Sequence, residues 1–362
     1  MMNYLIIIKY AILFFPLIAL LFTMPFILNQ YHKYGSISLF KSVIIYLFIF
    51  YLICAYFLVI LPLPKISEVA QMTSPRTQLI PFCFIIDFIE HSSLDMTNIH
   101  TFIPAIKESY VYVPLFNIIL TIPFGMFLRY FYKCNLKKTV MYTFLLSLFF
   151  ELTQLSGLYF IYPRGYRLFD VDDLLLNTFG GFVGYFLSKP IIDLIPAIDI
   201  VNRKTREKGK IVSGFRRTLA FLLDLLIILI IELVSIAIFG DHLYLNIFLW
   251  ILYYFCIPLI LDTSTIGQKF LNIQILDYDN KKDMKKLLLR KIISVSIYLF
   301  IPICVFNIIL HTSHDYTREF IGIIMMALLF LIYAISFIKF LFTNKDMFYE
   351  KLSQTKLVST IQ

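Results

Sequence analysis

Charge is scarce in this chain: Asp, Glu, Lys and Arg make up 15% of 362 residues, against 60% hydrophobic residues. A soluble globule cannot clothe its surface with so few charges, and a mean hydropathy of +0.82 excludes one. The five cysteines, Cys54, Cys83, Cys134, Cys256 and Cys304, form no C-x-x-C pair, so neither a cysteine zinc site nor a disulfide framework is indicated. Five histidines (His91, His100, His242, His311 and His314) fall in predicted external segments, but no H-E-x-x-H or H-x-x-x-H spacing links them, and no metal site is expected. Thr265-Ile-Gly267-Gln-Lys269 lacks the G-x-x-x-x-G-K-[ST] spacing of a phosphate loop, which excludes nucleotide binding by that device. A Ser or Thr nucleophile motif and low-complexity tracts are missing too. Tryptophan occurs once beside 38 Phe and 24 Tyr, which reads as an AT-rich coding bias and not as an aromatic binding platform. The first apolar run has no basic leader and no small-residue cleavage site, so a retained span is expected there.

What the chain does have is long apolar runs. Segments near 4–28, 40–63, 110–129, 139–157, 172–188, 217–239, 244–262, 290–310 and 320–342 reach the length of about 20 residues that crosses a bilayer. The predicted fold class is therefore all-α: a polytopic membrane helical bundle of about nine transmembrane helices. The net charge of +9 would suggest nucleic acid in a soluble protein. Here the basic residues crowd into the short segments 129–138, 189–217 and 263–291, which places those segments in the cytoplasm and makes nucleic acid an unneeded partner. Alternation then puts 64–109, 158–171, 240–243 and 311–319 outside. The C-terminus comes out cytoplasmic and the N-terminus external, in a multi-pass plasma-membrane protein. The basic stretch separates residues 1–190, with five spans, from 214–362, with four, and leaves 191–213 as a cytoplasmic linker.

Against this apolar background one segment stands apart: Arg167-Leu-Phe-Asp170-Val-Asp172-Asp173-Leu-Leu-Leu-Asn177-Thr-Phe-Gly180-Gly181-Phe-Val-Gly184. A carboxylate in hydrocarbon costs at least about 2.5 kcal/mol, so one that persists faces a partner, a cavity or a ligand. Asp170, Asp173, Asn177 and the glycines recur at helical i, i+3 and i+4 steps, giving a face that is acidic first and smooth afterwards. Gly180, Gly181 and Gly184 suit close helix packing. Asn117, Glu151 and Gln154 lie at the same predicted depth, at the outer side. The residues expected to gather there are Asn117, Glu151, Gln154, Arg167, Asp170, Asp172, Asp173 and Asn177. Glu151 and Asp173 are the candidates for acid–base work should catalysis occur; Arg167 pairing with Asp170 or Asp173, and Asp170 or Asp172 capping the fifth span, are the structural alternatives. The segment Pro81–Glu90 reads as an interfacial or re-entrant helix beside them.

These residues carry a resemblance. Asn117 followed by Pro123-Phe-Gly125, Glu151-x-x-Gln154 and the run Arg167–Gly184 make residues 40–190 similar to the VanZ-like family. That resemblance implies an association with low-level resistance to teicoplanin-type lipoglycopeptides, by a mechanism it does not supply. The second half resembles an RDD domain through Gly214-Phe-Arg216-Arg217, Asp224, Thr265-Ile-Gly267-Gln-Lys269, Arg290 and Tyr349-Glu350-Lys351-Leu-Ser-Gln-Thr355. Glu350 stands where an Asp is expected. Asp224, inside a span, needs a partner, and Arg290 is the expected one. Phe270–Leu276 and the following Asp277-Tyr-Asp279-Asn280 suggest a short cytoplasmic strand and turn.

The functional expectation is a protein whose outward cluster binds or acts on a membrane lipid or a lipid-linked envelope intermediate, without a cofactor. An ion or proton exchange route through Arg217, Asp224 and Arg290, a membrane enzyme on a lipid phosphate, and a purely structural bundle of ion pairs remain open. Whether the chain is an enzyme is not decided by its sequence.

Overall fold

Inside a bilayer the backbone has no water to bond, so so apolar a chain closes its hydrogen bonds within helices. The computed structural model describes residues 2–95, 97–302, 304, 316–342 and 346–361. It is helical apart from two two-stranded pairings, which is the expected all-α class. His311 and His314 lie outside the described residues.

Helices occupy the positions of the nine apolar runs, the eighth only as far as residue 302. Six of them are long and apolar enough to cross a membrane: Lys9–Tyr34, Leu39–Ile60, Ser109–Tyr132, Gly214–Phe239, Leu243–Ile260 and Ile323–Phe342. The pair Val171–Leu194 and Ile198–Gly209, bent by 50°, makes a seventh if it is one span. Length and composition therefore do not establish the expected nine among the described residues. The helix Leu136–Leu155 falls short because Lys137, Lys138, Glu151, Gln154 and several Thr and Ser dilute it, and 290–310 runs beyond the described residues.

The chain divides into two compact units, Met1–Phe22 with Phe40–Val201 and Thr23–Leu39 with Asn202–Gln362. The first contains the start of α1 (Met2–Tyr34), then α2 (Leu39–Ile60), α3 (Cys83–His91), α4 (Ser109–Tyr132), α5 (Leu136–Leu155), α6 (Val171–Leu194) and the start of α7 (Ile198–Gly209). Glycine sets its tightest contact. A Cβ on Gly180 would stand 2.2 Å from the Ile118 carbonyl oxygen, and one on Gly184 2.2 Å from that of Ile122, so the backbone of α6 lies directly on α4. Gly181 turns to α5, where a Cβ would meet Thr143 Oγ1 at 2.1 Å. Ala55, Leu120 and Phe150 form a buried cluster between α2, α4 and α5. Strands β1 (Thr77–Gln78) and β2 (Phe169–Asp170) pair in parallel, Gln78 opposite Asp170, and tie the segment after α2 to the start of α6.

The second unit holds α8 (Gly214–Phe239), α9 (Leu243–Ile260), α10 (Ile266–Phe270), β3 (Ile273–Asp277), α11 (Met284–Val295), α12 (Tyr316–Phe342), α13 (Phe348–Leu352) and β4 (Thr355–Ser359). α9 contains a π-turn at Leu252–Cys256. The strand expected within Phe270–Leu276 is present as β3, alternating inward at Ile273, Ile275 and Asp277. Its antiparallel partner β4, with Ile275 opposite Leu357, was not expected. Tyr31, Val212, Leu219, Ala220, Leu271 and Ile273 form the buried core beside this hairpin.

Candidate functional site

In the first unit the ends of α2 and α5 and the starts of α4 and α6 meet; α4, α5 and α6 bring polar side chains and α2 brings backbone carbonyls. Asp170 caps α6, its carboxylate accepting the Asp172 backbone N–H at 2.8 Å. The Asp170 N–H in turn donates to Glu151 Oε2 at 2.9 Å, which locks the entry of α6 to the end of α5. Asp172 points away from this junction. Its carboxylate accepts the N–H groups of Phe82 (2.5 Å) and Phe84 (3.0 Å), so it caps α3, the helix expected near Pro81–Glu90. Asn117 Nδ2 donates to Asp173 Oδ1. One turn on, Asn177 Nδ2 donates to Ser147 Oγ at 3.0 Å, and Thr121 Oγ1 donates to the Asn177 carbonyl at 2.6 Å.

The carbonyls at the end of α2 have lost their helical partners, and three side chains supply replacements. Gln154 Nε2 donates to Val59 O at 3.0 Å, Tyr166 Oη to Ile60 O at 2.7 Å, and Arg167 Nη2 to Leu61 O. Among the described residues no carboxylate forms an ion pair with Arg167, contrary to the pairing with Asp170 or Asp173 weighed from the sequence. Among the described residues the guanidinium gives only the bond to Leu61 O and keeps further donors unused.

Asn117, Glu151, Gln154, Arg167, Asp173 and Asn177 line one cavity of about 940 Å³. Its remaining wall is apolar and aromatic, including Phe14, Phe57, Leu63, Tyr112 and Phe116. Asp170 and Asp172 are not part of the lining, because both are spent on helix caps. Glu151 is 2% exposed and so is desolvated even though it faces the cavity. The arrangement can hold an amphiphile: a polar end with one cation and two carboxylates, and an apolar body.

A second polar cluster is built in the other unit. Glu350, fully buried on α13, receives Arg290 Nη2 at 2.6 Å and Arg217 Nη1 at 3.4 Å, and caps its own helix through the Met347 N–H at 2.7 Å. Arg216, also fully buried, donates to the carbonyls of Leu271, Gly209 and Asn272, each at 2.8 Å. Asp224 is held by neutral donors: Tyr253 Oη (2.5 Å), Thr265 Oγ1 (2.6 Å) and the Gly267 N–H (2.7 Å). Gly267 is required there, since a Cβ would lie 2.4 Å from the Ala220 carbonyl oxygen. Lys269 is exposed and pairs with Asp262 at 3.5 Å. Asp262 sits in the turn after α9, and its bond from Lys282 Nζ at 2.9 Å is the chief cause that holds its carboxyl below the usual range.

Compared with known families, residues 48–194 match the family described as VanZ/LLP1 and residues 211–347 match the RDD family. The chain is a fusion of a VanZ-like domain and an RDD domain. Comparison with curated proteins and with solved structures finds no match. The polar lining of the cavity lies within the VanZ/LLP1 match, while Phe14 of its apolar wall precedes it; Arg217 and Arg290 lie within the RDD match and Glu350 just beyond it.

In the RDD domain the geometry corrects one expectation. Arg290 does not serve Asp224: it reaches Glu350 and Thr355 Oγ1 (3.1 Å), while Asp224 is satisfied by two hydroxyls and an amide. The reason is reach along α8. Arg217 and Asp224 share a face two turns apart, so Arg217 meets α13 and Asp224 meets the loop leading into α10. Glu350, the apparent departure from an RDD pattern, is the acid that both arginines use.

Sequence reasoning missed a buried polar stripe on the helix that carries Glu151. Thr139, Thr143, Ser147 and Glu151 recur every fourth residue along α5 and are all buried. Such a stripe of small polar residues leading to a glutamate was a readable signal. Tyr253 and Thr265, the partners of Asp224, carried no comparable periodicity.

Proposed function

We propose that the VanZ-like domain binds a membrane amphiphile with a phosphate headgroup, a lipid or lipid-linked envelope intermediate, from the outer leaflet. The observation that carries this reading is Arg167, whose guanidinium, among the described residues, gives one bond to a backbone carbonyl and has no carboxylate partner, in a cavity lined otherwise by a few polar and many apolar and aromatic side chains. A planar guanidinium suits a phosphate oxygen pair. The apolar wall suits an acyl or prenyl chain, which would enter from the bilayer. Orientation follows the basic segments, which leave the cavity on the external side.

A teicoplanin-type lipoglycopeptide places its acyl tail in that same leaflet. Reduced susceptibility to it would then follow from what this cavity binds, sequesters or alters. Glu151 and Asp173 both line the cavity, so turnover of the bound headgroup by an acid and a base is compatible with the same site. Ion exchange through Asp224 has less support, because that carboxylate already accepts three hydrogen bonds. The test is teicoplanin and vancomycin susceptibility of a host carrying wild type or Asp173→Asn, with membrane abundance checked by blot. Loss of teicoplanin tolerance at normal abundance supports the proposal. Unchanged tolerance at normal abundance removes the link between this cavity and the drug.

A further inference from the structure

The polar end of the cavity offers more acceptors than donors. Asn177 is 4% exposed, and among the described residues its Oδ1 has no hydrogen-bond partner. The amide orientation follows from its neighbour. The single hydroxyl hydrogen of Ser147 goes to the Asp173 carbonyl at 3.3 Å, so Ser147 accepts from Asn177 Nδ2 and the amide oxygen is the atom left over. A buried acceptor without a partner is a cost that folding alone does not repay. Glu151 commits Oε2 to the Asp170 N–H, and Asp173 commits Oδ1 to Asn117. Each carboxylate therefore has a second oxygen available to a ligand. Among the residues lining the cavity, Arg167 is the sole cation against two carboxylates.

We infer that the bound headgroup carries a protonated amine beside its phosphate, with the phosphate at Arg167 and the ammonium against Glu151, Asp173 and Asn177 Oδ1. This rests on the reading of the cavity as an amphiphile site. An ammonium brings three N–H donors and one positive charge, which matches three acceptors and two carboxylates. A headgroup with phosphate alone satisfies Arg167 and sets its own charge against Glu151 and Asp173, which disfavours it. Asn177 acts as the discriminating residue: it lines the cavity, is nearly buried, and is incomplete without a donor.

The experiment uses the full chain in detergent and three short-chain lipids of identical acyl length: phosphatidylethanolamine, its N-acetylated form and phosphatidylglycerol. Binding is read by displacement of a fluorescent lipid. The expected result is about tenfold tighter binding of the free amine than of either other lipid. Asp173→Asn and Asn177→Leu should each shrink that preference to about threefold or less, while Arg167→Gln weakens all three lipids. Should Asn177→Leu fail to fold, Asp173→Asn alone decides the matter, since Asn keeps the shape and the Asn117 contact. Equal affinity for all three, or preference for the glycerol headgroup, with Arg167→Gln still weakening binding, overturns the amine and leaves the phosphate-lipid site standing. No binding of any of the three by folded wild type overturns both.

Discussion

Replacing Glu350 by Gln removes one charge and almost no volume, which isolates what the buried carboxylate does in the RDD domain. Glu350 is fully buried and accepts Arg290 at 2.6 Å, Arg217 at 3.4 Å and the Met347 N–H at 2.7 Å. Both guanidiniums are also buried, with side chains 6% and 4% exposed. Glutamine keeps one acceptor and turns an NH₂ toward groups that are themselves donors. Removing one member of a buried ion cluster costs about 3–5 kcal/mol, because the remaining charges are stranded out of water. At 1.4 kcal/mol per factor of ten, that is roughly a hundred- to a few thousand-fold in the folding equilibrium. The triple change Arg217→Met, Glu350→Leu, Arg290→Met removes all three charges together and should recover most of the loss, since apolar replacement of a whole cluster is often neutral. The assay is reversible unfolding in mixed micelles, followed by monodispersity on a sizing column. A Glu350→Gln protein within about 1 kcal/mol of wild type, or a triple variant less stable than the single one, would refute the account of this cluster.

Three further outcomes follow from the contacts. Gly181→Ala drives a methyl against Thr143, whose Oγ1, Cβ and Cγ2 lie 2.1, 2.6 and 2.6 Å from the position it would take; it should destabilise by about 1–3 kcal/mol, and Thr143→Gly should restore part of that, as read by thermal melting in detergent. Asp224→Leu strands two hydroxyls and an amide and should cost several kcal/mol at about 1–3 kcal/mol per group, whereas Asp224→Asn keeps an acceptor and should cost less; unfolding midpoints decide between them. Proteoliposomes holding wild type should show no Na⁺ or H⁺ flux that Asp224→Asn abolishes, and a flux that vanishes in that variant would restore the exchange reading.

Much of this architecture was legible because the bilayer simplifies the code. A run of about 20 apolar residues has few alternatives to a helix, so the helices fall where hydropathy put them. The number that are long and apolar enough to cross was harder to read, because α5 carries a polar stripe that ends at Glu151 and its composition falls below that of an ordinary span. Residues of the polar cluster were visible as expensive exceptions, and Asn117, Glu151, Gln154, Arg167, Asp173 and Asn177 do line one cavity. Their division of labour was not visible. Asp170, Asp172 and Asp173 sit within four residues of each other, yet one caps α6, one caps α3 and one faces the cavity. Helical phase alone could not separate them, because two of the three bond to partners distant in sequence, Asp172 to the Phe82 and Phe84 backbone and Asp173 to the Asn117 side chain. In the RDD domain the error had the same origin: opposite charge suggested Arg290 for Asp224, but Tyr253, Thr265 and Gly267 neutralise that site without charge.

The central claim is that the VanZ-like cavity holds a phosphate-bearing amphiphile through Arg167. Native mass spectrometry of the chain purified in mild detergent tests it directly, comparing wild type with Arg167→Gln of equal monodispersity. The account predicts that wild type retains a phospholipid-class ligand and that Arg167→Gln loses it. Equal retention by both proteins, or no retained lipid on a well-folded wild type, would contradict the account.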